Sequence, residues 1–270
     1  MIELRKKTKT ALSPTGQPVQ VPALAESTIQ RIFSVVRLVL DGAVRDGLIA
    51  KSPAANIKPP AIPTKEARFL SSAEVSRLLA EVRGTRYEAI LTFIAATGVR
   101  KGEALALTWR DIDFAGEQIK IRATLARIKG ELVSSSPKTT RSRRTLPMTA
   151  GIADLLKTCR AAQLAEKEHA QGLWQEGGFV FTTETGTPIE PRNVLRALTT
   201  AAKRTGLTGV SVHTLHHSAA TAMLEAGVHL KAVSELLGHS DIRITGDVYG
   251  HVSTEVAKAA MSSLSESQGY

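Results

Sequence analysis

Residues 96–103, Ala-Thr-Gly-Val-Arg-Lys-Gly-Glu, show where a helix ends and how the chain continues beyond it. An apolar segment from Tyr87 to Thr97 predicts a helix, and Gly98 comes directly after it. Glycine readily adopts the left-handed conformation that closes a helix and turns the chain sharply. The stretch therefore predicts a helix end at Gly98, with Arg100 just beyond it.

The segments on either side of this turn predict a mainly helical domain with a small sheet. Ser71, with Glu74 three residues later, has the capping-box pattern that begins a helix. Isoleucine alternates with polar residues over 118–122, and strand-forming residues follow at 132–133 and 145–146, which predicts antiparallel pairing with a basic hairpin. Helical patterns return further along. The predicted fold class is mainly α with a small antiparallel β-sheet (α+β).

The N-terminal part of the chain has a different pattern. Residues 1–24 mix proline and glycine with polar residues without a sustained period, which predicts a loop or a frayed chain end. From Ser27 to about Gly47, apolar side chains recur at helical spacing and predict an amphipathic helix. Residues 58–63, Lys-Pro-Pro-Ala-Ile-Pro, cannot continue a helix and predict an extended linker. We therefore expect a helical segment over 1–58, a linker over 59–68 and a larger domain over 69–270.

The charge of the chain indicates its partner. Lysine and arginine number 35 against 25 acidic residues, which gives a formal net charge of +10 and predicts a polyanion as partner. Basic residues cluster over 138–144, as suits contacts to phosphates. Aromatic residues make up only 4% of the chain, which argues against stacking of single strands and favours duplex DNA. Without an apolar run of about 18 residues, we expect a cytoplasmic protein with no membrane partner.

Two further segments complete a set with residues 96–103. Residues 213–217 read His-Thr-Leu-His-His, and residues 236–240 read Leu-Leu-Gly-His-Ser, with Tyr249 further along the chain. In this order, the three segments and the tyrosine resemble the tyrosine recombinase (phage integrase) family.

The resemblance extends from about Phe69 to Ser265, and the helix that begins near Ser27 resembles the end of the family's core-binding domain. It implies a tyrosine recombinase catalytic-domain fold over 69–270, after a partial helical core-DNA-binding domain over 1–58. It also implies a DNA integrase that cleaves and rejoins duplex DNA at specific recombination sites through a 3′-phosphotyrosyl intermediate. Four protomers would act at paired sites, with accessory DNA-bending proteins as further partners.

The resemblance assigns a role to each matching residue. Arg100 matches the first catalytic arginine, and Lys138 matches the lysine that looks like the proton donor to the leaving 5′ hydroxyl. His213 matches a histidine with a proton-transfer role, His239 the histidine that hydrogen-bonds the scissile phosphate, and Tyr249 the nucleophile. Basic residues expected to contact the DNA backbone are Arg31, Arg37, Arg141, Arg143 and Arg144.

Elementary chemistry agrees with these assignments. When a phosphodiester is cleaved, its energy is conserved only if a protein nucleophile forms a new phosphate ester that a hydroxyl can later displace. A phenol such as that of Tyr249 can form such an ester. Negative charge on the phosphoryl oxygens requires either a metal ion or fixed cations. This sequence offers cations, so we expect no metal and no cofactor.

Position 216 departs from the family pattern. The segment ordinarily reads His-x-Leu-Arg-His, and this chain has His216 where that arginine would form a second phosphate clamp. Arginine is a permanently charged planar fork, whereas histidine is largely neutral above its reference pKa of about 6.5. We expect weakened cleavage, with a smaller effect on DNA binding. The histidine is either a natural variant or a replacement that slows catalysis.

Two alternative interpretations remain. His213, His216 and His217 lie at helical spacing that could gather zinc, although no glutamate occupies the place that a zinc-protease helix requires. The second alternative is a cleavage-deficient DNA-binding protein that occupies recombination sites without cutting them.

Overall fold

The structure is a computed structural model that describes residues 6–12, 17–59, 68–136 and 143–239, together with 241, 242, 246, 262 and 265. The chain divides into two compact units, residues 1–65 and 66–270. The helices with described bounds are α1 (Glu26–Arg45), α2 (Ser72–Ala80), α3 (Glu88–Thr97), α4 (Lys101–Ala106), α5 (Ala150–Ala170), α6 (Pro191–Arg204), α7 (Val212–Glu225) and α8 (Leu230–Leu237). The strands are β1 (Thr8–Leu12), β2 (Pro18–Pro22), β3 (Ile112–Asp113), β4 (Gln118–Ile121), β5 (Thr124–Ile128), β6 (Glu131–Ser135) and β7 (Arg144–Pro147). None of these helices is long and apolar enough to cross a membrane.

In the first unit, β1 and β2 form an antiparallel hairpin in which Thr8 pairs with Pro22 and Leu12 with Pro18. The prediction of a loop over residues 1–24 is therefore wrong for both strands. Valine and threonine favour extended backbone, and the two prolines lie at the ends of β2, where a missing ladder donor is tolerated.

The helix predicted from Ser27 is confirmed as α1. Its predicted apolar face is only partly covered within the described residues. Ile29 and Phe33 are buried, whereas Val36 and Val39 are 49% and 67% exposed. Helical spacing thus identified the element correctly, but it did not determine which of its side chains are buried.

The second unit is built around α3, which packs against α2, α4, α5 and α7. Its side chains at Ile90, Leu91, Phe93 and Ile94 are completely buried. The predicted capping box ahead of α2 is confirmed, with Ser71 and Glu74 exchanging hydrogen bonds of 2.9 and 3.2 Å. Because α7 also packs against α8, the ends of α3 and α8 come together beside α7.

The β-structure of this unit consists of two antiparallel pieces. Strands β3, β4 and β7 form one sheet, in which Ile119 lies opposite Leu146 and Ile121 opposite Arg144. Strands β5 and β6 form a separate hairpin beside α4. The predicted fold class, mainly helical with small antiparallel sheets, is confirmed, and the described strands are divided between two sheets.

Candidate active site

The first part of the site is the turn between α3 and α4. Gly98 has a φ of +66°, and a Cβ atom there would lie 2.5 Å from Leu237 Cδ2 and 3.0 Å from Ala219 Cβ. Both the left-handed backbone and the close approach of α7 and α8 therefore require glycine. Beyond this turn, Arg100 is the N-cap residue of α4, so its predicted position after a helix end is confirmed.

Arg100 links this turn to the end of α8. Its backbone N–H donates to Glu103 Oε2 at 3.0 Å, and its Nη1 donates to Glu103 Oε1 at 3.2 Å. Nη1 also donates to the Leu237 carbonyl at 3.2 Å, and Nη2 donates to the Gly238 carbonyl at 3.1 Å. The Arg100 side chain remains 35% exposed, so its guanidinium is both anchored and accessible.

Glu103 is a buried carboxylate shared by two arginines. Its side chain is 4% exposed, and Arg144 Nη2 lies 2.8 Å from its Oε2 atom. Burial by itself would raise the pKa of Glu103, but hydrogen bonds and charge from Arg144 and Arg100 bring that pKa below its usual value. The carboxylate is therefore ionised and orients both guanidinium groups.

Three histidines lie on α7, which begins at the capping residue Ser211. The rings of His213 and His216 stack with centroids 5.2 Å apart, and His217 meets the His213 ring edge-on at 4.3 Å. Burial, followed by the charge of Arg100, lowers the pKa of His213. This side chain is therefore predominantly neutral at pH 7, the form in which an imidazole accepts a proton.

His216 is 1% exposed and makes two hydrogen bonds through its ring. Its Nδ1 atom donates to the Gly98 carbonyl, which only accepts, so the hydrogen of a neutral ring must be on Nδ1. The Nε2 atom of His216 then accepts from His239 Nε2, which lies 2.8 Å away. His216 thereby favours the form of His239 in which the ring hydrogen is on Nε2.

The same two histidines are difficult to protonate. Burial is the main reason that the pKa of His216 falls to about 3 and that of His239 to about 4, and the charge of Arg100 lowers both pKa values further. The hydrogen bond to Gly98 opposes the fall at His216 without reversing it. At neutral pH, the histidine at position 216 therefore supplies no positive charge.

The structure thus brings together four of the predicted catalytic residues: Arg100, His213, His216 and His239. Lys138, Arg141 and Tyr249 lie outside the described residues, and their roles remain predictions. Among the described residues, no group of three or more His, Cys, Asp or Glu side chains is arranged to hold a metal ion.

The residues expected to contact DNA have different surroundings. Arg31 is exposed on α1, Arg37 lies 3.8 Å from Asp41, and Arg143 is exposed and donates to Ser136 at 3.2 Å. Arg144, in contrast, is only 7% exposed and is paired with Glu103. A DNA contact at Arg144 stays a prediction, and the position of its side chain argues against one.

Sequence reasoning missed the contacts that Arg144 makes within the protein. A signal was present, because side chains two apart on a strand lie on the same face. Arg144 and Leu146 are two residues apart on β7, and Leu146 is buried whereas Thr145 between them is exposed. An arginine in phase with the apolar positions of a strand predicts a buried ion pair better than a surface contact.

Comparison with known proteins identifies the family of this chain. Residues 68–255 match the phage integrase family. The chain belongs to the phage integrase, or tyrosine recombinase, family.

Two relatives show how far the likeness to this family extends. The integrase-family chain is 32% identical over 260 residues to a "Tyrosine recombinase XerC-like" protein of Caldanaerobacter subterraneus subsp. tengcongensis, covering 90% of this chain and 66% of the relative. It is 24% identical over 258 residues to the "ICEBs1 integrase" of Bacillus subtilis, covering 93% of this chain and 68% of the relative. The chain thus spans about two thirds of the length of these curated relatives.

Solved structures of integrases have the same fold. A Tn1549 transposon integrase in complex with circular intermediate DNA superposes with a TM-score of 0.74 at 21% identity, covering 89% of this chain and 81% of that one. A lambda integrase tetramer bound to a Holliday junction gives a TM-score of 0.57 at 16% identity, covering 83% and 67%. At these identities the likeness concerns the fold, which is the catalytic-domain fold that the sequence predicted.

Proposed function

We propose that this protein is a site-specific DNA recombinase of the integrase type, which cleaves and rejoins duplex DNA through a 3′-phosphotyrosyl bond to Tyr249. The observation that carries the proposal is the convergence of Arg100, His213 and His239, from three separate sequence segments, on one site in a chain of this family. A structural role alone would not require an accessible guanidinium beside neutral imidazoles.

The proposed reaction balances without an added energy source. The Tyr249 phenol oxygen attacks the scissile phosphorus and gives up its proton, for which His213 is the candidate acceptor. The bond from phosphorus to the 5′ oxygen breaks, and Lys138 donates a proton so that this oxygen leaves as a hydroxyl. A second 5′ hydroxyl then displaces the tyrosine by the reverse path, which restores the phosphodiester.

We further propose that His216 weakens cleavage. Arg100 presents a fixed positive charge to the phosphate, while His216, with a pKa of about 3, presents none at neutral pH. Loss of one transition-state donor typically lowers a rate by about 10²–10³-fold. The alternative proposal is a cleavage-deficient protein that occupies recombination sites. A neutral histidine at position 216 would also favour this alternative.

The proposed partner is duplex DNA at specific recombination sites, bound in part by Arg31, Arg37, Arg141 and Arg143. Four protomers would assemble on paired sites, with accessory DNA-bending proteins, in the cytoplasm. The net charge of +10 supports a polyanionic partner. The lambda integrase tetramer on a Holliday junction provides the precedent for the assembly.

Covalent trapping on a nicked suicide substrate tests the proposal directly. The substrate would carry the DNA that flanks the gene, and a covalent protein–DNA product should form. Tyr249→Phe should abolish this product and leave DNA affinity nearly unchanged, because only the nucleophilic oxygen is removed. Tyr87→Phe, at the N-cap of α3, is the matched control and should retain the product.

The two proposals predict different results in this assay. Binding without any covalent product would favour the cleavage-deficient alternative. Undiminished product with Tyr249→Phe would show that another residue is the nucleophile.

A further inference from the structure

Arg144 is a buried basic residue of the site, and the proposed reaction assigns it no role. We propose that Arg144 is a positioning residue, which together with Arg100 holds the carboxyl end of α8 and thereby fixes His239 in the active site. The inference rests on the proposed function, because that proposal relies on His239 lying in one site with Arg100 and His213.

The first support is the set of hydrogen bonds at the end of α8. Arg144 Nε donates to the Leu236 carbonyl at 2.5 Å, and Arg100 donates to the next two carbonyls, those of Leu237 and Gly238, at 3.2 and 3.1 Å. The last carbonyls of a helix lack partners within the helix and carry partial negative charge. Two guanidinium groups thus bind three successive carbonyls immediately before His239.

The second support is the shared anchor of the two arginines. Arg144 Nη1 and Nη2 donate to the two oxygens of Glu103 at 3.2 and 2.8 Å, and the side chains are 7% and 4% exposed. Separating a buried ion pair leaves uncompensated charge in a poorly solvated place. Glu103 therefore keeps Arg144 in place and ties β7 and α4 to the end of α8.

The third support is the tight contact between Arg144 and Gly238. A Cβ atom at Gly238 would lie 2.6 Å from Arg144 Nη1, so the guanidinium packs directly on the backbone that leads to His239. His239 continues from there to its 2.8 Å hydrogen bond with His216. A shift of the α8 end by about 1 Å would misplace this imidazole, and such misplacements cost about 10²-fold in rate.

The test is a double-mutant cycle on single-turnover cleavage. Arg144→Lys keeps the charge but loses the planar fork that reaches both Glu103 and Leu236. We expect this change to slow cleavage by about 10²-fold in the native background and to add almost nothing to the effect of His239→Ala. Arg110→Lys, at an exposed arginine, is the matched control and should leave the rate unchanged. Independent, multiplying effects of Arg144→Lys and His239→Ala would overturn the inference.

A second measurement does not depend on cleavage. In the DNA-free protein, long-range ¹H–¹⁵N NMR spectra report which ring nitrogen of His239 carries a hydrogen. Arg144→Lys should change the His239 ring signals while Arg110→Lys does not. If the wild-type protein cuts no DNA but this change appears, the positioning role stands and the proposed function fails. Unchanged His239 signals in a protein that cuts DNA would overturn the positioning role alone.

The native protein itself provides a check in case Arg144→Lys does not fold. Because the Arg144 Nε–H group is bonded to Leu236, its hydrogen should exchange with water more slowly than that of the exposed Arg143. Equally rapid exchange at both arginines would overturn the inference without any variant.

Discussion

At the scale of single residues, position 216 shows how burial changes what a histidine does. An exposed imidazole titrates near neutrality, but His216 is enclosed and bonded to Gly98 and His239. Its pKa of about 3 keeps it neutral throughout the range from about pH 5.5 to 8.5, which brackets the reference value. An activity loss with rising pH, which a charged histidine would have caused, is therefore not expected from His216.

His216→Arg should raise the single-turnover cleavage rate by about 10- to 10³-fold, because it replaces a missing transition-state donor with a permanent cation. DNA affinity should change far less. His216→Gln is the control, since it stays neutral and should give no such gain. If the arginine variant is no faster at any pH from about 5.5 to 8.5, His216 is a competent residue and the weakened-clamp proposal is wrong.

Lys138→Ala should slow cleavage of ordinary DNA, because the leaving 5′ oxygen would lose its proton donor. A substrate whose 5′ leaving group is sulfur should largely restore the rate, since a thiolate leaves without a proton. Lys129→Ala, at an exposed lysine of the β5–β6 turn, is the matched control. Equal defects of Lys138→Ala on the two substrates would remove Lys138 from the acid role.

At the scale of elements, the ends of α7 and α8 provide a matched pair of glycines. Gly227 follows α7 with a φ of +80°, and a Cβ atom added there would meet nothing within 4 Å. Gly238 follows α8 with a φ of +66°, and a Cβ atom there would lie 2.6 Å from Arg144. The positive φ favours glycine at both positions. Only at Gly238 does close packing against a neighbouring side chain also require glycine.

Gly238→Ala should therefore destabilise the protein more than Gly227→Ala, which itself should cost more than about 1 kcal/mol because of its positive φ. Urea unfolding would measure both changes. Cleavage should fall with Gly238→Ala and persist with Gly227→Ala, because only the first displaces the segment before His239. Equal losses of stability and of cleavage in the two variants would contradict a specific role for the α8 end.

In the molecule as a whole, folding favours the neutral forms of the histidines in the site. The pKa values of His213, His216, His217 and His239 are all lowered, chiefly by burial. Below the ordinary histidine pKa, the unfolded chain therefore binds protons that the folded protein does not. Stability must then fall as the pH falls, and it is retained above the unfolded pKa of about 6.5.

The free energy of unfolding should thus be nearly constant above about pH 7 and should decrease from about pH 6.5 towards pH 4, by about 1.4 kcal/mol per pH unit for each proton that the folded state lacks. Urea titrations at several pH values would measure it. His216→Gln should make the decrease shallower, and His169→Gln, at an exposed histidine outside the site, is the matched control. Equal slopes for His216→Gln and the native protein would contradict the assignment.

The sequence alone predicted the features that depend on short stretches of chain. Gly98 closes α3 with Arg100 just beyond it, and Ser71 with Glu74 caps α2, as expected. Each of these features needs only a few neighbouring residues and a backbone conformation that those residues favour. The order of the three motif segments likewise sufficed to predict the family.

The features that depend on contacts between distant residues were apparent only in the tertiary structure. It buried Arg144 against Glu103, 41 positions away, and bonded His216 to Gly98, 118 positions away. No local pattern determines the pKa of His216, because desolvation depends on every element packed around the ring. The sequence determined that arginines and histidines are present, whereas the fold determined which histidines are neutral and which arginines are exposed, because burial and ion pairing with distant residues arise only when the chain folds.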